Sequence, residues 1–87
     1  MKLKNTYVLR TVADKTVAIA TDNGTEKADG VITLNSTGAF IFDLVNKGVE
    51  RDEICESFFK EYEVSKEEAE KAVDAFLENL VKSGLAD

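Results

Sequence analysis

Few side chains in this sequence are suited to covalent chemistry. Cys55 is the single cysteine, and there is no histidine. A cysteine nucleophile works as its thiolate, which a neighbouring base or cation must favour. Cys55 instead follows Ile54 and precedes Phe58 on what reads as an apolar helical stripe, so a buried, inert thiol is expected. Acid pairs such as Glu67-Glu68 carry the right groups for proton transfer, but at a helix start they complement its dipole. One cysteine and no histidine leave no zinc-type ligand set and no internal disulfide. No Walker loop or dinucleotide fingerprint is present. The expectation is a chain with no catalytic residues, no metal and no cofactor.

Charge narrows the partners. The 87 residues carry 11 Lys and Arg against 17 Asp and Glu, a net charge of −6. Nucleic acid and anionic membrane both require clustered cations, so neither is expected as a partner. A basic or mixed-charge partner suits better. No stretch approaches the roughly 18 apolar residues of a membrane span. Met1-Lys2-Leu3-Lys4 runs into polar Asn5-Thr6, with no apolar signal region, which points to the cytoplasm. The length predicts one domain over residues 1–87.

The chemistry that remains is that of the backbone. Val31-Ile32-Thr33-Leu34 reads as a strand that runs directly into a helix cap at Asn35. An edge strand exposes unpaired N–H and C=O groups, and proteins usually blunt it with charge, proline or a bulge. This one has none of these. Capture of a peptide by strand addition is a natural use of such an edge. Alternatively, the strand lies in the middle of its sheet or under the preceding loop. By the two-residue period, Ile32 and Leu34 share one face and Val31 and Thr33 the other. The helix that follows assigns Ile32 and Leu34 to the core.

The elements that hold this strand follow from periodicity. Tyr7–Val12 and Thr16–Thr21 are rich in β-branched residues and read as a hairpin around Ala13-Asp14-Lys15. Asp14-Lys15 is a weak turn pair. Thr21 to Gly30 reads as a polar loop. After Asn35 the period turns helical. The first helix carries Phe40, Ile41, Leu44 and Val45 and ends at Lys47-Gly48. The second repeats Ile54, Cys55, Phe58, Phe59 and Tyr62, with Glu50 a poor cap. The third opens on the Ser65/Glu68 capping box with a Val64/Ala69 staple, and closes at Gly84 with Leu85 over Leu80. The predicted fold class is α+β: a three-stranded antiparallel sheet followed by three helices covering one face.

The segment "ITLNSTGAFIFDLVNKG" (Ile32 to Gly48) resembles the centre of the PqqD family, named for coenzyme PQQ synthesis protein D. Its pattern is an apolar strand, Leu-Asn-x-Thr-Gly, then an apolar helix ending in Gly. "EICESFFKEYEVSKEEAEKAVDAFLENLVKSGL" (Glu53 to Leu85) is similar to the family's second half, and "YVLRTVADKTVAIAT" to its first hairpin. Phe42 stands where tryptophan is common in the family, and the acidic Asp22 to Asp29 segment has no recognisable match.

The resemblance implies a winged helix-turn-helix-like fold acting as a peptide chaperone, a recognition element for ribosomally made, post-translationally modified peptides (RiPPs). The precursor's leader segment would add as a strand beside Val31–Leu34, against the third helix, Lys66 to Ser83. The domain would then present the precursor to a modifying enzyme, often a radical SAM protein. On that helix Val73 centres the core stripe, flanked by Glu70, Asp74 and Val81 on one side and Ala72, Phe76 and Asn79 on the other. One flank lines the cleft, and the sequence does not say which. Glu70 and Asp74 would suit a leader carrying Lys or Arg; Ala72 and Phe76 belong to the other flank.

Three rival readings compete with this one. In a DNA-binding winged helix the third helix would enter the major groove. Here it sets Lys66, Lys71 and Lys82 against Glu67, Glu68, Glu70, Asp74 and Glu78, which phosphate repels. An enzyme is disfavoured by the chemistry above. A small adaptor or antitoxin-like protein binding a folded partner remains the alternative. A monomer or weak homodimer is expected, since an open edge can also pair with its own copy.

Overall fold

The computed structural model describes residues 2–22 and 25–86. Three strands precede three helices: β1 (Thr6–Val12), β2 (Lys15–Asp22), β3 (Thr25–Leu34), α1 (Ser36–Asn46), α2 (Arg51–Tyr62) and α3 (Lys66–Lys82). The strands form one antiparallel sheet in the order β1-β2-β3, the α+β arrangement expected. β3 is therefore an edge strand, with β2 on one side only.

Two hairpins build the sheet. Val12 pairs with Lys15, so Ala13 and Asp14 make the first turn, one residue earlier than the Asp14-Lys15 pair. Ala13 takes φ 58° while Asp14 keeps a negative φ, the pattern of a type II′ turn, whose twist suits a hairpin. The expected loop from Thr21 to Gly30 is mostly strand. Thr21 pairs with Glu26 and Asp22 with Thr25; the part of that loop at Asn23 and Gly24 lies outside the described residues. The polar run hid the strand because apolar alternation appears only where one face is buried. Between the Ile19–Val31 and Thr21–Glu26 pairs the register slips, and residues 27–30 of β3 oppose Ala20 alone. Gly30 ends this bulge, where a Cβ would stand 2.5 Å from that of Ala20.

The helices cover one face of the sheet. Tyr7, Ala18, Ala20 and Leu34 are buried beneath them, whereas Val8, Val12 and Val31 on the opposite face are exposed. Phe42, Ile54 and Val73 are the largest fully buried side chains, each stabilising by about 1.5–3 kcal/mol through burial. Phe42 corrects the expected stripe of α1. It faces the sheet, with its ring 5.0 Å edge-on from Tyr7, while Phe40 and Leu44 are half-buried. Phe40 turns instead towards α2, where Phe58 and Tyr62 complete an aromatic cluster.

The helix ends obey their local signals. α1 and α3 both close with paired bonds onto a left-handed glycine. Val49 N donates to Leu44 O and Gly48 N to Val45 O; Leu85 N donates to Leu80 O and Gly84 N to Val81 O. Ser65 Oγ caps α3 by accepting from Glu68 N at 3.1 Å. α2 starts without a side-chain cap at Glu50, as its sequence predicts, and ends on Glu63 at φ 51°.

Candidate functional site

The two edges of the sheet are treated differently. On β1, Asn46 at the end of α1 acts as a substitute strand. Its Nδ2 donates to Tyr7 O at 2.9 Å, and its Oδ1 accepts from Tyr7 N at 3.3 Å. The chain ends extend this cover through a Leu3–Ala86 bridge and a bond from Lys4 N to Leu85 O. No comparable bond reaches the outer side of residues 30–34 in β3 among the described residues.

The register tells which backbone groups face outward there. In an antiparallel pair, opposed residues alternately exchange and do not exchange hydrogen bonds. Tyr7 points its N–H and C=O away from β2 to Asn46, so Tyr7–Ala20 is a non-exchanging pair. Val8–Ile19 and Arg10–Val17 then exchange bonds, and Ile19 and Val17 have nothing to offer β3. Their partners on β3 are Val31 and Thr33, whose N–H and C=O therefore point into open space. Ile32 and Leu34 bond inward, to Ala18 and Thr16. Their side chains also face the core, as expected: Leu34 is buried and Ile32 is packed against the cluster. Val31 stays 51% exposed on the far face.

A cleft separates this edge from α3. No Cα of the described part of β3 comes within 8 Å of one in α3. At one end, Phe76 reaches over the start of α1, beside Gly38 and Asn35. At the other, Leu85, just past α3, joins Asn5, Tyr7, Ala20, Gly30, Val31 and Ile32 around a hollow of about 280 Å³ at the end of the sheet. β3 and α3 thus run in opposite directions along the cleft. The helical period puts Ala72, Phe76, Asn79 and Ser83 on this flank, and none of them is charged.

Glu70 and Asp74 belong to the other flank. Arg51 of α2 donates from Nε and Nη2 to both oxygens of Asp74, at 2.9 and 2.8 Å. It also stands 3.8 Å from Glu70 and donates to Asp52 at 2.9 Å. This fork holds the Asp74 carboxyl below its usual range and the guanidinium above its own. The structure therefore separates the eight residues singled out by sequence: Val31, Ile32, Thr33 and Leu34 sit together, Ala72 and Phe76 fall by the helical period on the flank of α3 that reaches the start of α1, and Glu70 and Asp74 face α2. Cys55 lies beside the Arg51 fork, in a groove of about 300 Å³ between α2 and α3. Burial pushes its thiol up, which disfavours the thiolate. No group of three or more potential metal ligands exists among the described residues, and no described helix is long and apolar enough to cross a membrane. Asn46 is not singled out in the sequence, and Leu85 only for its packing over Leu80; each looks like an ordinary helix-end residue until the sheet is placed beside it.

The fold and this cleft define a winged-helix-like α+β domain whose β3 edge is open on the side of its last helix. The chain belongs to the coenzyme PQQ synthesis protein D (PqqD) family, whose model matches residues 15–86. No match was found among curated proteins. Among solved structures, the chain is similar to TbiB1 in complex with the TbiA(beta) leader peptide. The TM-score is 0.75 at 25% identity, covering 100% of this chain and 95% of that one.

Proposed function

We propose that this chain is a RiPP recognition element: it binds the leader segment of a ribosomal precursor peptide as an added strand on the outer edge of β3. The observation that carries the reading is the asymmetry of the edges. β1 is covered at Tyr7 by Asn46, while the outward groups of Val31 and Thr33, beside α3, have no partner among the described residues. Membership of the PqqD family and the likeness to TbiB1 bound to a leader peptide support it. Backbone pairing at Val31 and Thr33 supplies affinity, and side chains alternately entering the cleft supply selectivity. Ile32, Leu34, Ala72 and Phe76 line the inner walls. Glu70 and Asp74, bound to Arg51, stabilise the α2–α3 pair and stay outside the cleft. The chain itself is non-catalytic. It presents the peptide to a modifying enzyme, of which a radical SAM protein is the expected class, in the cytoplasm where precursors are made.

An amide NMR titration with the leader of the precursor encoded beside this chain tests the reading. Shifts should concentrate at Val31–Leu34 and on the Ala72/Phe76 flank. Shifts at Glu70 and Asp74 without any at β3 would point to a folded protein partner on the acidic side instead.

A further inference from the structure

A glycine within a helix gives up propensity that alanine would supply, so Gly38 needs a local reason. It is the third residue of α1 and is buried, and its N–H donates to Asn35 Oδ1 at 2.8 Å. A methyl group there would lie 3.0 Å from Cε1 of Phe76 and 2.9 Å from Asn35 Oδ1. Carbon atoms at rest stand about 3.5–4.0 Å apart. The phenyl ring of α3 is thus lodged against bare backbone, just past the end of β3.

Building on the peptide-capture reading above, we infer that Gly38 is a positioning residue for the cleft: lacking a side chain, it seats the Phe76 ring against α1 and so sets the gap between α3 and the edge of β3. α3 and β3 do not approach each other directly, and α1 touches both, so the helix is spaced from the strand through α1. The Phe76–Gly38 contact fixes that spacing at the Leu34 end. A side chain at position 38 crowds both neighbours, Asn35 Oδ1 at 2.9 Å and the Phe76 ring at 3.0 Å. Asn35 Oδ1 is held by Gly38 N and by Thr37 Oγ1. The ring is only half-buried and has room to swing off α1. The ring gives way, into space that an added strand needs.

The test starts from peptides selected against the wild-type chain from a displayed library of random sequences. Their affinity is then read by fluorescence anisotropy on Gly38→Ala, Phe76→Leu and the double variant. Gly38→Ala should weaken binding by about tenfold or more while helix content holds. In the Phe76→Leu background the same change should have no further effect. An equal loss in both backgrounds means the glycine acts through the Asn35 cap, and overturns the inference, as does unchanged affinity in Gly38→Ala. If no peptide is enriched at all, the capture reading itself fails. Should Gly38→Ala not fold, Phe76→Trp replaces it. The larger ring leaves the cap of α1 untouched and should weaken binding similarly, and unchanged affinity there overturns the inference.

Discussion

Thr33 and Ile32 are neighbours with opposite backbone duties. Ile32 gives its N–H to the ladder with Ala18, whereas Thr33 turns its own away from β2. Proline removes the N–H and fixes φ, so it is tolerated on an edge strand only where that N–H faces outward. Thr33→Pro should therefore fold and lose most of its peptide affinity. Ile32→Pro should lose about 3 kcal/mol or more of stability, because it breaks the sheet itself. Chemical denaturation and peptide titration of the two variants check this pair. A Thr33→Pro chain that still binds would remove β3 as the docking strand. A Thr33→Pro chain that unfolds like Ile32→Pro would show that the alternation has been assigned to the wrong residues. The same reasoning explains the motif after the strand. Asn35 caps α1 through Gly38 and Thr37, and Gly38 leaves room for Phe76.

Each helix has a face whose partner decides its role, and α3 has two such flanks besides its core stripe. Arg51 holds Asp74 on the flank towards α2, and the sign of the pH dependence follows. The folded-state pKa of Asp74 is lowered, so its contribution is fully present above the ordinary carboxylate pKa and is lost as pH falls through the lowered value. Asp74→Asn should melt slightly below wild type at neutral pH, and the two melting curves should converge at strongly acidic pH. Both partners are more than a third exposed, at 39% and 55%, so added salt should shrink the difference. A gap that persists in acid would place the effect of Asp74 elsewhere. This fork also marks the limit of what the sequence could tell. Periodicity defined both flanks of α3, and its caps were readable because a cap is a local bond. Which flank faces α2 depended on Arg51, whose bond to Asp74 spans 23 positions of sequence. Likewise, Val31–Leu34 was readable as a strand, but its place at the edge of the sheet was not. The longer arm of β3 was missed although Asn23-Gly24 is a strong hairpin signal in sequence, because the residues around it show no apolar alternation.

At the scale of the molecule, the number of open edges sets how chains can associate. With Val31 and Thr33 facing outward, β3 lets two copies pair by placing β3 against β3 about a two-fold axis. That contact uses the same strand from each and closes on itself. A bound peptide occupies the same edge, so peptide and dimer exclude one another. A longer open run on β1 changes the outcome, because β1 of one copy could then pair along its length with β3 of the next, and head-to-tail contacts propagate. What opposes this is one side chain: Asn46 bonds both the N–H and the C=O of Tyr7, a residue only 5% exposed, and so shortens the outward-facing run of β1 to Leu9 and Thr11. Asn46→Leu keeps the size of the side chain and removes both bonds. It should cost about 1–3 kcal/mol, the penalty for leaving buried backbone groups unpaired, and it should open β1. Sedimentation velocity over a range of concentrations should show wild type as monomer with at most a dimer, and the variant as a series of larger species. Excess peptide should dissolve both kinds of assembly, since each needs a free β3. A variant that is destabilised yet never exceeds a dimer would mean that the bridge between Leu3 and Ala86, and not Asn46, is what ends the sheet on that side.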